Sequence, residues 1–308
     1  MTRRRPLRSV LIGDVDWYPS EYIFGVNQGM TLLGHWHRTV NVRADIDVIA
    51  RVVEQVQPDV IWGHMLLWPP AGLKHAANLR DLCRYARQRF GSRVIIHDGD
   101  ARTETRFPAD ISDSVDVVLC NHTADRSAWG VKQVRWPYFA FVQHSIAPPS
   151  PDLLCSLAFA GRLSESGIYA ERTTLVRTLQ QRLREFRVLP DERLPHHTLM
   201  RTPEIAASAQ AVLGYGRPES PGWLDVRLFQ YPGAGGVLLY DDVERASTYL
   251  EPFEHFIPYV RHDVASILDA VTIAQSVGEE MRVRAFAHVQ QHHNSVRRVE
   301  QALKEIGL

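Results

Sequence analysis

Short apolar runs alternate with amphipathic stretches along the first half of the chain. SVLIG (9–13), RTVNV (38–42), DVIWG (59–63), RVIIH (93–97), DVVLC (116–120) and QVRWPY (133–138) are almost unbroken in apolar residues. That is the pattern of strands covered on both faces. Between them, Asp45 can cap a helix in which Ile46, Ile49, Val52, Val53 and Val56 recur at helical spacing. Leu73, Ala76, Ala77, Leu82 and Tyr85 mark a second helix around 72–90. Strand, helix, strand repeated this often predicts a parallel, doubly wound sheet.

The segment HSIAPPSPD (144–152) interrupts the alternation with three prolines and little to bury, and it reads as a linker. Beyond it the pattern restarts with SLAFAG (156–161), a helix from about Ala170 to Arg184, EFRVLP (185–190), a helix opened by Pro203, and AVLGYG (211–216). A short helix then runs from Ser220, as cap, to Pro232, and GVLLY (236–240) follows. Asp263 can cap VASILDAVTIAQS, and a last helix is expected from about Gly278 to Ile306. The expected architecture is α/β, with two Rossmann-like doubly wound domains facing a cleft. Residues 1–147 form the first domain and 148–308 the second, with a C-terminal helix that can cross back to the first.

Composition narrows the partners. The chain has 35 basic and 35 acidic residues, so no global field draws it to nucleic acid or an anionic membrane. DNA would need arginines such as Arg3–Arg5, Arg80, Arg84, Arg87 and Arg89 to collect on one face. No apolar run reaches the length of a membrane span. Cys83, Cys120 and Cys155 are odd in number and far apart, which suits buried thiols of a reducing compartment, and the cytoplasm is the expected location.

Ligands of doubly wound sheets bind beyond the C-terminal strand ends. That rule selects Asp14 and Asp16 after the first strand, His64 after the third, and His97-Asp98-Gly99-Asp100 after the fourth. A hydroxyl acceptor needs a group to take its proton, so His97, Asp98, Asp100 and Asp14 are the candidate catalytic residues. Asp16 and His64 are the candidate acceptor-binding residues. Caps and turns explain the same acidic residues equally simply. In the second half, Gly161-Arg162 ends a strand, and Arg172 lies on the following helix. Bare backbone, helix amides and two arginines make a plausible diphosphate site. There is no GxGxxG after the first strand and no GxxxxGK[ST], which argues against an ordinary dinucleotide dehydrogenase and a P-loop kinase. No set of Cys, His and carboxylate stands at metal-ligand spacing, so no metal is expected.

SPGWLDVRLFQYPGAGGVLL (220–239) carries the sharpest signal. Arg227 and Gln230 are three apart and neighbours on one helix face, and Gly233, Gly235 and Gly236 form a corner without side-chain bulk before a buried strand. This order, R-x-x-E then small-G-G then an apolar strand, resembles the nucleotide-sugar site of GT-B glycosyltransferases. It is most similar to the spore-maturation-type (CgeB-like) group, whose pattern is roughly R-x-F-E-x-x-x-x-G. The similarity continues through VLLYDDVERASTYLEPFEHFIPYVRHDVASILDAV and into RAFAHVQQHHNSVRRVEQAL, with His293 and Arg297 at the comparable places. It covers about residues 155–305.

The resemblance implies a transferase acting on a nucleotide-sugar co-substrate, UDP- or GDP-linked, with no other cofactor and no metal. Arg162, Arg172, Arg227, Gln230, Gly235 and Gly236 would hold the donor, and position 230 would meet the ribose. The family has Glu where this chain has Gln230. A carboxylate accepts two hydroxyl hydrogens, whereas an amide accepts on one side and donates on the other. That departure motivates a second reading, a non-catalytic nucleotide-sugar binding module. A nucleotide-sugar epimerase on the same plan is the third. The acceptor stays open among a small molecule, a glycan or protein, and modified DNA.

Overall fold

The computed structural model describes residues 5–13, 15, 21–64, 76–99, 110–161, 163–189, 201–216 and 222–308. The chain divides into two compact units. One takes Met1–Pro137, Glu219–Trp223 and Ser295–Leu308, and the other takes Tyr138–Pro218 and Leu224–Asn294.

The first unit is a six-stranded sheet built from β1 (Arg8–Gly13), β2 (Trp36–Asn41), β3 (Val60–His64), β4 (Arg93–Asp98), β5 (Val117–Cys120) and β6 (Lys132–Arg135). Its order is β2-β1-β3-β4-β5-β6 and every pairing is parallel. The unbroken apolar runs are explained by double coverage. Val10, Ile12, Ile61, Val94, Ile96 and Val118 pack on α2 (Ile46–Val56) and α3 (Ala76–Phe90) through Ile49, Val53, Leu79 and Cys83. This unit also contains α1 (Glu21–Leu32) and α9 (Ser295–Glu305). They cross closely at Gly29, where an added Cβ would lie 2.6 Å from Val299 Cγ2 and 2.8 Å from the Ser295 carbonyl oxygen.

The second unit is a five-stranded parallel sheet of order β11-β10-β9-β7-β8. In chain order its elements are β7 (Cys155–Ala160), α4 (Ala170–Arg182), β8 (Phe186–Leu189), α5 (Thr202–Ser208), β9 (Ala209–Leu213), α6 (Arg227–Gly233), β10 (Leu238–Tyr240), α7 (Val243–Ala246), β11 (Phe256–Pro258) and α8 (Val264–His292). Leu157, Phe159, Leu213, Leu239 and Ile257 face α4 and α8, while Ala158, Val212, Leu238 and Tyr240 face α5 and α6. The three cysteines are free and buried.

All ten expected strands form, and the three-residue β11 adds an eleventh. The helices differ from expectation at several places. Helices α1 and α7 have no counterpart in the sequence reading. Helix α6 begins at Arg227, where Asp225 Oδ1 accepts the Arg227 amide at 2.9 Å, and not at Ser220, which lies outside the described residues. The long C-terminal helix breaks at His293–Asn294 and not near Gly278. At that break the His293 carbonyl accepts the Ala140 amide at 2.9 Å, which diverts the backbone from helix. Asp263 does cap α8, accepting from the amides of Ala265 (2.9 Å) and Ser266 (3.2 Å).

Candidate functional site

In the second sheet the chain leaves β7 toward β8 on one side and leaves β9 toward β10 on the other, so the topological switch point lies between β7 and β9. Four predicted features bear on it. Arg227, at the start of α6, donates from Nε to the carbonyl of Ala160, the last residue of β7, at 2.7 Å. Its Nη1 pairs with Asp225 Oδ2 at 2.6 Å. A Cβ on the next residue, Gly161, would overlap Arg227 Nη2, so glycine is what lets the guanidinium lie across the strand end. Arg172 is 6% exposed and lies over two rings, 5.5 Å from the Phe159 centroid and 4.7 Å from Tyr169. Arg227 shares the Phe159 ring at 5.8 Å. Two arginines on one aromatic ring beside bare backbone suit an anionic ligand.

Gln230, one turn along α6, is 5% exposed, and its Nε2 has no hydrogen-bond partner. A buried amide donor left unmade costs about 1–3 kcal/mol, which a ligand acceptor would relieve. Arg162 lies outside the described residues.

Gly235 and Gly236 are placed elsewhere. Helix α6 leads from the C-terminal end of β9 to the start of β10, so it runs against the strands. Its glycine corner therefore reaches the N-terminal edge of the sheet, about 10 Å of helix away from Arg227. Protein atoms fill it. A Cβ on Gly235, which has φ +84°, would lie 2.6 Å from Ile146, and one on Gly236 would lie 3.0 Å from the Ala206 Cβ. The Arg282 guanidinium binds the carbonyls of Gly235, Ala206 (2.7 Å) and Ala209 (3.0 Å).

The same ligand-binding edge contains groups that sequence reasoning passed over. Asp241, after β10, accepts the Gly216 amide at 2.8 Å and pairs with Arg261 at 2.8 Å. Burial raises its carboxyl pKa despite those two partners. Arg261 lies 4.8 Å from the Tyr215 ring. Asp225 was also missed, although it stands two residues before Arg227, the D-x-R spacing of a carboxylate that binds the next turn's amide.

In the first unit, His64 is the last residue of β3. Asp14, Asp16 and Asp100 lie outside the described residues. His97 is buried, stacked on Tyr22 (4.5 Å between centroids, 4° between planes) and edge-on to Trp136 at 5.6 Å. Asp98 Oδ2 meets Arg126 Nε at 2.9 Å and His122 Nε2 at 3.1 Å, all three residues being buried. Burial alone would raise the Asp98 pKa, but the His122 and Arg126 contacts outweigh it and hold it below the usual carboxylate range. Donor atoms of Asp98, Cys120 and His122 lie within 4.8 Å of one another, a spacing that can accept a cation. Arg126 already neutralises that carboxylate, and burial pushes the Cys120 thiol up to about 12, so the group is built as an internal ion pair.

Two parallel α/β sheets, the second with paired arginines at its switch point, make up a fold of GT-B architecture. Residues 172–304 match the Glycosyl transferase-like family. No curated protein sequence matches the chain. Solved structures with the same fold include Anabaena Alr3699/HepE in complex with UDP and glucose, at TM-score 0.58 and 10% identity, covering 97% of this chain and 99% of that one. An alpha-glucosyltransferase in complex with UDP and a 13-mer DNA containing an HMU base aligns at TM-score 0.61 and 8% identity, covering 98% and 100%. A glycosyltransferase from Rickettsia africae ESF-5 aligns at TM-score 0.59 and 7% identity, covering 98% of each chain. Among the described residues, no helix is long and apolar enough to cross a membrane.

Proposed function

We propose that the chain transfers a sugar from a UDP-linked donor to a hydroxyl acceptor without a metal ion. The observation that carries this is Arg227 laid across Gly161 beside Arg172 at the switch point, both arginines lying within the segment that matches the Glycosyl transferase-like family. UDP is preferred to GDP because HepE and the alpha-glucosyltransferase are described with UDP bound. Arg172, Arg227 and Arg162 take the charge of the leaving diphosphate, the work that a metal does elsewhere. Gln230 meets the donor with its buried Nε2, whereas Gly235 and Gly236 shape the base of α6 and stay off the ligand. On the acceptor side, Asp14 and Asp100 are the base candidates. His97 and Asp98, at the packed end of β4, are the further catalytic candidates, and Asp16 and His64 are the candidate acceptor contacts.

The order of motifs around Arg227, His293 and Arg297 supports a relation to the spore-maturation-type group. A hydroxylated small molecule or a glycan is preferred as acceptor to DNA. Three of the four α3 arginines that DNA would need are already paired: Arg80 and Arg84 with Asp113, and Arg87 with Asp116.

The test is a melting series with UDP, GDP, TDP and CDP, on wild type and Arg227→Gln, followed by turnover of UDP-sugars with an acceptor panel in EDTA. Ligand at a hundred times Kd stabilises by about 2.7 kcal/mol. A shift with UDP that Arg227→Gln loses, and transfer that survives EDTA, are the expected results. No shift with any nucleotide would sink the reading. Binding without turnover favours the binding module that Gln230 suggests, and acceptor-free sugar interconversion favours an epimerase.

A further inference from the structure

Asp225 is 1% exposed, and both of its oxygens are committed to one residue. Oδ1 accepts the Arg227 backbone N–H at 2.9 Å, and Oδ2 takes Arg227 Nη1 at 2.6 Å. A carboxylate that merely neutralised an arginine would need only the guanidinium. This one also holds the main chain from which the side chain springs, closing a small ring through a single residue. The guanidinium has its second anchor at Nε, on the Ala160 carbonyl at 2.7 Å. Two anchors at different nitrogens fix both the position and the plane of a rigid fork, and the remaining nitrogen, Nη2, then falls over the Cα of Gly161.

We infer that Asp225 is a positioning residue for the donor diphosphate, acting only through Arg227. The inference rests on the donor-site reading above. A negative charge beside the site weakens long-range attraction for an anion. The gain is that Arg227 meets its ligand already oriented, so little rotamer freedom is lost on binding. Arg227 carries the contact and Asp225 the aim.

The experiment is a double-mutant cycle on UDP affinity, measured by calorimetry on the full chain: wild type, Asp225→Asn, Arg227→Gln and the double variant. Asp225→Ser is run in parallel, because a serine still accepts the Arg227 amide but cannot pair with the guanidinium. It carries the test if the asparagine variant does not fold. The expected result is at least a tenfold loss of UDP affinity on changing Asp225 in the wild-type background, and less than a twofold change in the Arg227→Gln background. A purely structural role would lower affinity by the same factor in both backgrounds, and that result overturns the inference. So does an Asp225 variant that binds UDP within twofold of wild type or more tightly. A wild type that binds no nucleoside diphosphate overturns the donor-site reading itself, and is distinguishable because no arm of the cycle then binds.

Discussion

Gly161→Ala is the smallest change that should disable the donor site. The φ of Gly161 is not positive, so alanine meets no backbone strain there and its whole effect is spatial. The added methyl would overlap Arg227 Nη2 and sit 3.0 Å from Phe159 Cζ. The arginine is the softer neighbour. Its far end can swing away, at the expense of its 2.7 Å bond to the Ala160 carbonyl, while Phe159 is packed at 0% exposure. Losing one charge-assisted hydrogen bond to a ligand costs about 1.5–3 kcal/mol, or roughly 10- to 150-fold in Kd. The fold should tolerate the change, with a drop in stability of about 1 kcal/mol. The assay is calorimetric UDP binding beside melting of the unliganded protein. A Gly161→Ala protein that binds UDP within twofold of wild type would show that the Arg227 guanidinium does not reach the ligand, and would refute the geometry proposed for the site.

Two further outcomes are expected. Arg282→Met keeps the stem but leaves the carbonyls of Ala206, Ala209 and Gly235 without their donor. It should destabilise the protein by about 3–5 kcal/mol, seen in denaturant melts, and a loss below about 1 kcal/mol would contradict the structure. His37 is desolvated beside Ser9, and burial lowers its pKa to about 4 from 6.5. The unfolded chain therefore takes up this proton first, and stability should fall as pH drops from about 6.5 toward 4. A His37→Gln variant should show a shallower decline over that window, and an unchanged slope would rule out His37 as the source.

Much of this protein is written in its sequence. A strand covered on both faces must be apolar at nearly every position, so ten strands could be read directly from runs such as RVIIH and DVVLC, and their alternation with helices implied parallel sheets. Arg227 and Gln230 could likewise be read as one helical face, because three-residue spacing makes them neighbours in any helix. Local pattern could not decide which end of a helix meets the ligand-binding edge. Gly233, Gly235 and Gly236 look like a ligand's bare backbone, yet α6 runs against the strands and carries them to the far side of the sheet, where Arg282, Ile146 and Ala206 occupy the space. The break between α8 and α9 was hidden for a related reason: helical periodicity passes through His293 unaltered, and only the amide of Ala140, some 150 positions earlier in the chain, marks the stop. The partners of Arg227 depended on tertiary structure as well. Asp225 is close in sequence, but the Ala160 carbonyl and the Phe159 ring reach it only once β7 and α6 are packed together. Sequence determines which segments bury which faces. Only the packed sheet decides which polar groups share an edge, because that edge is assembled from strand ends far apart along the chain.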